Sequence, residues 1–137
     1  MANHLHRSDL PDGLDLGNLV AVDCETMGLN PLRDRLCLVQ ISAGEGDCHL
    51  VQFPADTAIP YDSPRLKALL TDPDVTKLFH FARFDLAAIH RYLGVACGPV
   101  YCTKIASRLA RTFTDRHSLK DLCRGLLGIE ISKQQQT

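Results

Sequence analysis

Apolar positions follow two periods along this chain. Up to residue 53 they fall in short blocks separated by turn residues, which is the pattern of strands. Residues 19–22 (Leu-Val-Ala-Val) are apolar and β-branched, and predict a strand deep in a sheet. Residues 36–41 and 48–53 predict two more, joined through the hairpin-type turn Gly44-Glu45-Gly46-Asp47. Such short connections predict an antiparallel meander. Past residue 61 the period lengthens. Asp62-Ser63-Pro64 reads as a helix start, Leu66, Leu69 and Leu70 as its apolar face, and Asp72-Pro73 as its end. A short strand is predicted over 77–81, then an amphipathic helix over 84–93 closed by Gly94. Another short strand, 100–102, leads into a helix through Ile105, Ala106, Leu109 and Ala110. Ser118 caps the last helix, whose stripe is Leu119, Leu122, Leu126 and Leu127 and whose stop is Gly128. Residues 1–18 are polar, with a turn at Pro11-Asp12-Gly13, so residues 1–15 read as a loose lead-in to one domain over 16–137. This order predicts an α/β fold: a mixed sheet of three antiparallel strands followed by parallel ones, flanked by helices.

Composition narrows the class. The chain has 137 residues, 45% apolar and 23% charged, as expected of a soluble globular domain. No run of about 18 apolar residues exists to span a membrane, and residues 1–9 lack the apolar core of a secretory signal. Six cysteines, with no C-x-x-C spacing, sit mostly in apolar segments and read as small buried hydrophobes with reduced thiols. A cytoplasmic location follows as the expectation. A net charge of −1 argues against a general grip on long nucleic acid. Between Thr103 and Lys133, however, seven Lys and Arg outweigh three acids. That stretch is either a solvated helical face or a local wall for phosphate.

The candidate chemistry begins where the first strand ends. In Val22-Asp23-Cys24-Glu25-Thr26-Met27-Gly28-Leu29, strand alternation puts Asp23 and Glu25 on one face and Cys24 on the other. Paired acids at the end of an apolar strand are either plainly solvated or placed to share a hard cation such as Mg2+. Asp85 follows the 77–81 strand, in the first turn of the next helix. The helix dipole favours an acid there, and a parallel neighbour of the first strand could bring it to the same crevice. Three converging carboxylates are hard to justify without metal.

At these residues the chain resembles the ribonuclease D branch of the DEDD 3′–5′ exonucleases, whose fold is RNase H-like (DnaQ-like). Val22 to Leu29 is similar to the first family motif, and His80-Phe81-Ala82-Arg83-Phe84-Asp85 to the second. Residues 102–109, 114–120 and 131–136 resemble the nano-RNase C subgroup, bacterial relatives that degrade very short RNA, notably dinucleotides. The resemblance implies metal-dependent hydrolysis of phosphodiester bonds with two divalent ions, Mg2+ or Mn2+. Asp23, Glu25 and Asp85 would be both catalytic residues and metal ligands. Met27, Gly28, Leu29, His80, Phe81, Lys104, Arg116 and His117 would bind substrate, Leu29 as a wedge between bases and the basic residues toward a 5′ phosphate. It also implies a homo-oligomer. The family's third motif, Tyr-x-x-x-Asp, is expected beyond Thr137, so the domain reads as C-terminally incomplete. Two rival readings stay open: a nucleic-acid-binding or scaffold remnant that cannot cleave, and a DNA-directed 3′–5′ exonuclease.

Overall fold

The computed structural model describes residues 2–55 and 61–132. One six-stranded sheet carries the fold, in the order β1-β4-β3-β2-β5-β6. β2 (Leu19–Thr26), β3 (Leu36–Ser42) and β4 (Cys48–Gln52) form the expected antiparallel meander. β5 (Thr76–Phe79) and β6 (Val100–Cys102) then add in parallel on the other side of β2. The first strand read from the sequence is thus central.

The lead-in is not loose. Asn3–Arg7 forms β1, an edge strand paired in parallel with β4, His4 opposite His49. Asp9 then caps α1 (Pro64–Thr71), accepting from the Arg65 and Leu66 N–H groups at 3.1 and 2.8 Å. Ser63, the expected cap, makes no such bond; its hydroxyl donates to the Ser8 carbonyl and is fully buried. The orphan N–H groups of a helix start need an acceptor, and here a distant carboxylate supplies it.

α2 (Ala82–Ala88) widens into a last turn over Ile89–Leu93 and ends at Gly94, which takes the left-handed conformation, φ 70°. It starts two residues earlier than the apolar period suggests, because β5 stops at Phe79 and not at 81. α3 (Thr103–Ala110) follows β6 directly. α4 (Leu119–Leu122), with its continuation Cys123–Leu127, is capped as expected: the Asp121 N–H donates to Ser118 Oγ at 3.1 Å.

The core lies on one side of the sheet. Val20, Val22 and Cys24 of β2 pack with Val39, Ile41, Val51 and Phe53, and with Leu66, Leu70, Ala88 and Ile89 from the helices. Lys77 is fully buried at the far end, its ammonium donating to the Asp72 and Gly98 carbonyls at 2.7 and 2.8 Å. All six cysteines are free; Cys24 alone is fully buried, and the rest are half-buried. No helix among the described residues is long and apolar enough to cross a membrane.

Candidate active site

β2 outruns its parallel neighbour. β5 pairs with it only through Leu19, Val20 and Ala21. The first turn of α2 fills the space beyond, and the Cys24 N–H donates to Asp85 Oδ1 at 2.8 Å. Asp85 therefore meets the strand at the residue between Asp23 and Glu25. It is 3% exposed. Burial pushes its carboxyl up to about 6; the Cys24 N–H opposes that rise and the Asp23 charge adds to it.

Asp23 and Glu25 lie on the solvent side of β2, as the alternation requires. Lost solvation still raises the Asp23 carboxyl, because strand and helix groups crowd it while the residue as a whole remains exposed. Gln40, its cross-strand partner, donates Nε2–H to Asp23 Oδ2 at 3.3 Å. Glu25 is raised by burial and then by Asp23. A register shift between Glu25 and Thr26 breaks the β2–β3 ladder beside them, a common device next to active sites.

Among the described residues, no three His, Cys, Asp or Glu side chains form a ready-made metal cage. Asp85 has one oxygen on the Cys24 N–H, and Asp23 one on Gln40. The acids border one strand end without closing on a point. Their chemistry nevertheless suits a hard divalent cation: the donors are all carboxylate oxygens, and mutual repulsion with poor solvation is what a cation relieves.

The other expected residues divide into two groups. Met27 and Leu29 stand out from the β2–β3 loop, 69% and 84% exposed. Gly28 lies between them, close against Asp34. Phe81 sits at the start of α2 in the left-handed region, φ 71°, which is costly for an aromatic residue. Its ring is exposed, with the Lys104 ammonium 4.5 Å from the ring centre. His80 Nδ1 lies 2.9 Å from Thr103 Oγ1, and that hydroxyl donates to the Phe79 carbonyl at 3.1 Å. The other ring nitrogen, Nε2, is buried without a hydrogen-bond partner in the structure. Burial holds the imidazole below its ordinary value.

The second group is placed differently. His117, expected near a phosphate, turns inward and bonds Ser107 Oγ at 2.7 Å, tying the loop before α4 to α3. Arg116 beside it is exposed. Sequence reasoning missed Gln40, Thr103 and Asp34. A lone glutamine inside an otherwise apolar strand, opposite an acid, was the one available signal for the first. Two surface hollows, of about 210 and 420 Å3, lie away from the acids, one against α1 and one at the N-terminal end of β2.

A six-stranded mixed sheet flanked by helices, with acids bordering the end of its central strand, is the architecture of RNase H-like exonucleases. A family model described as 3'-5' exonuclease matches residues 9–137, and the chain belongs to that family, in its ribonuclease D branch. More particularly, it is similar to Brucella melitensis NrnC: the structure bound to pGG is 51% identical, TM-score 0.89, over 98% of this chain and 65% of that one. The same protein with bound Mg2+ is 50% identical, TM-score 0.88, over 97% and 65%. Ribonuclease D of Gluconacetobacter diazotrophicus is 34% identical over 115 residues, 83% of this chain and 28% of that protein. The chain thus spans about two thirds of NrnC and less than a third of that ribonuclease D. These matches uphold the resemblance drawn from the motifs and the RNase H-like fold expected from it.

Proposed function

We propose that this chain is the core of a metal-dependent 3′–5′ exoribonuclease that hydrolyses very short RNA, dinucleotides included. The observation that carries this reading is the Cys24–Asp85 hydrogen bond, which brings the acid of the second motif between the two acids of the first. Asp23, Glu25 and Asp85 are the residues to hold divalent metal, Mg2+ or Mn2+, with two ions present when substrate is bound. Such ions activate water and stabilise the leaving 3′ oxygen. The protein's own part is orientation. Gln40 steadies Asp23 and the Cys24 N–H steadies Asp85. Leu29 and Met27 offer an apolar surface to a terminal base, and Phe81 offers a ring with Lys104 above it, since bases stack on such surfaces regardless of sequence. The relative whose structure contains pGG supports a short RNA substrate, and the one with bound Mg2+ supports the metal. A cytoplasmic homo-oligomer remains part of the proposal through its likeness to nano-RNase C proteins.

The absence of a closed acid cage among the described residues favours a second reading, a binding remnant unable to cleave. Incubating the purified chain with a labelled 5′-phosphorylated diribonucleotide and Mn2+ separates the two. Turnover lost in Asp23→Ala supports the nuclease; binding without turnover supports the remnant. A deoxy-dinucleotide in parallel tests the DNA-directed alternative.

A further inference from the structure

The β2–β3 loop is built inside out. Its charged residue is interior and its apolar residues face solvent. Asp34, in the charged triplet Arg33-Asp34-Arg35, is only 9% exposed. Its Oδ2 accepts from the Asn30 N–H at 2.9 Å and from Arg33 Nη2 at 3.1 Å; its Oδ1 accepts from Arg33 Nε at 2.9 Å. The Asp34 N–H in turn donates to the Asn30 carbonyl at 2.7 Å, and the Met27 N–H to the Arg35 carbonyl at 3.0 Å. Thr26 Oγ1 donates to the Gly28 carbonyl. Around this cage Met27, Leu29 and Leu32 are left 69%, 84% and 76% exposed.

Gly28 shows how tight the cage is. A Cβ placed there would stand 2.4 Å from Asp34 Oδ2 and 2.7 Å from its Cγ. Gly28 does not have a positive φ, so glycine is needed for close approach and not for backbone freedom. A loop that locks exposed apolar side chains in place, just past Asp23 and Glu25, holds them ready for a ligand with apolar faces.

We infer that Asp34 is a positioning residue: through Gly28 and Asn30 it fixes Met27 and Leu29 beside the Asp23–Glu25 strand end, and so sets affinity for the terminal base of short RNA. This rests on the proposed nuclease reading for its substrate class. Asp34→Ala removes the acceptor of the Asn30 N–H and frees the loop. Asp34→Asn keeps the shape and one acceptor oxygen. Gly28→Ala forces the carboxylate away from the opposite side.

The experiment measures KM and kcat for a 5′-phosphorylated diribonucleotide with Mn2+. In parallel, a diribonucleotide with 2-aminopurine at its 3′ end gives Kd by fluorescence, which needs no turnover. Asp34→Ala and Gly28→Ala are each expected to raise KM and Kd about tenfold, with kcat within threefold. Asp34→Asn is expected to recover to within threefold of the unaltered chain. The Gly28→Ala/Asp34→Ala double variant is expected to be no worse than Asp34→Ala, because the clash is gone. If Asp34→Ala does not fold, Gly28→Ala against Asp34→Asn makes the same distinction. Unchanged KM and Kd in folded Asp34→Ala and Gly28→Ala, or a fall confined to kcat, would overturn the inference while leaving the nuclease reading intact. Tenfold shifts in Kd without turnover in any variant would overturn the nuclease reading and leave the inference standing. A chain that neither binds nor cleaves overturns both.

Discussion

The acidic end of β2 and the basic arm that follows β6 are built in opposite ways. At the acidic end three carboxylates have fixed partners: Asp85 on the Cys24 N–H, Asp23 on Gln40, and Asp34 on Asn30 and Arg33. In the arm, α3 buries only Ser107, while Ile105, Leu109 and Phe113 point outward, the last two 77% and 80% exposed. Leu126, Leu127 and Ile129 are exposed as well. The difference is one of preorganisation. Asp23, Glu25 and Asp85 are placed by the strand and a helix start within the described chain, and their cost is visible in raised carboxyls, whereas the Arg33 hydrogen bond lowers Asp34. The arm's helices form, and α4 is capped by Ser118, but Ile105, Leu109, Leu126 and Leu127 stay exposed. Phe81 and Lys104 join the two regions through a cation–π contact.

The contrast implies a graded set of outcomes. Asp23→Ala or Asp85→Ala is expected to lower turnover of a diribonucleotide about a thousandfold or more, read as mononucleotide release, with circular dichroism unchanged. Next comes a pH effect on stability. Burial pushes the folded Asp85 carboxyl up to about 6, against about 3.9 for a free aspartate. Between those values the folded chain holds a proton that the unfolded chain has lost. Stability therefore falls as pH rises through that window, and the full cost stands above it. Asp85→Asn should accordingly melt higher than the unaltered chain at neutral pH, by about 2–3 kcal/mol at most, and converge with it at low pH. Added Mg2+ should raise the melting point of the unaltered chain and not of the variant. Phe81→Ala is expected to raise KM about tenfold, the effect of removing one stacked base contact. Smallest is the paired change Leu109→Glu and Phe113→Glu, which should shift stability by less than about 0.5 kcal/mol. A large destabilisation there would mean that the arm is packed after all.

Much of this was legible because it is local. The alternation at 19–26, the acids on one face of it, the Ser118 cap and the glycine stops at 94 and 128 are each written within a few residues. What escaped reading depends on distant partners. β1 is polar and exposed, so Asn3–Arg7 carries no apolar alternation, and its strand state comes from pairing with β4. Asp9 caps a helix 56 residues further along. Asp34 stands in a charged triplet, and nothing in the neighbouring residues marks its carboxylate as covered; the close approach of Gly28 does. His117 read as a phosphate contact because of its basic neighbours, while Ser107 holds it inward.

The most direct test follows backbone amide signals by NMR while Mn2+ is titrated into the chain, since the paramagnetic ion broadens only what lies near it. Broadening confined at first to Asp23, Cys24, Glu25 and Asp85, and abolished by Asp85→Ala, is the predicted result. Broadening centred instead on the stacked His4, His6 and His49 of the β1–β4 edge, or none at all, would contradict it.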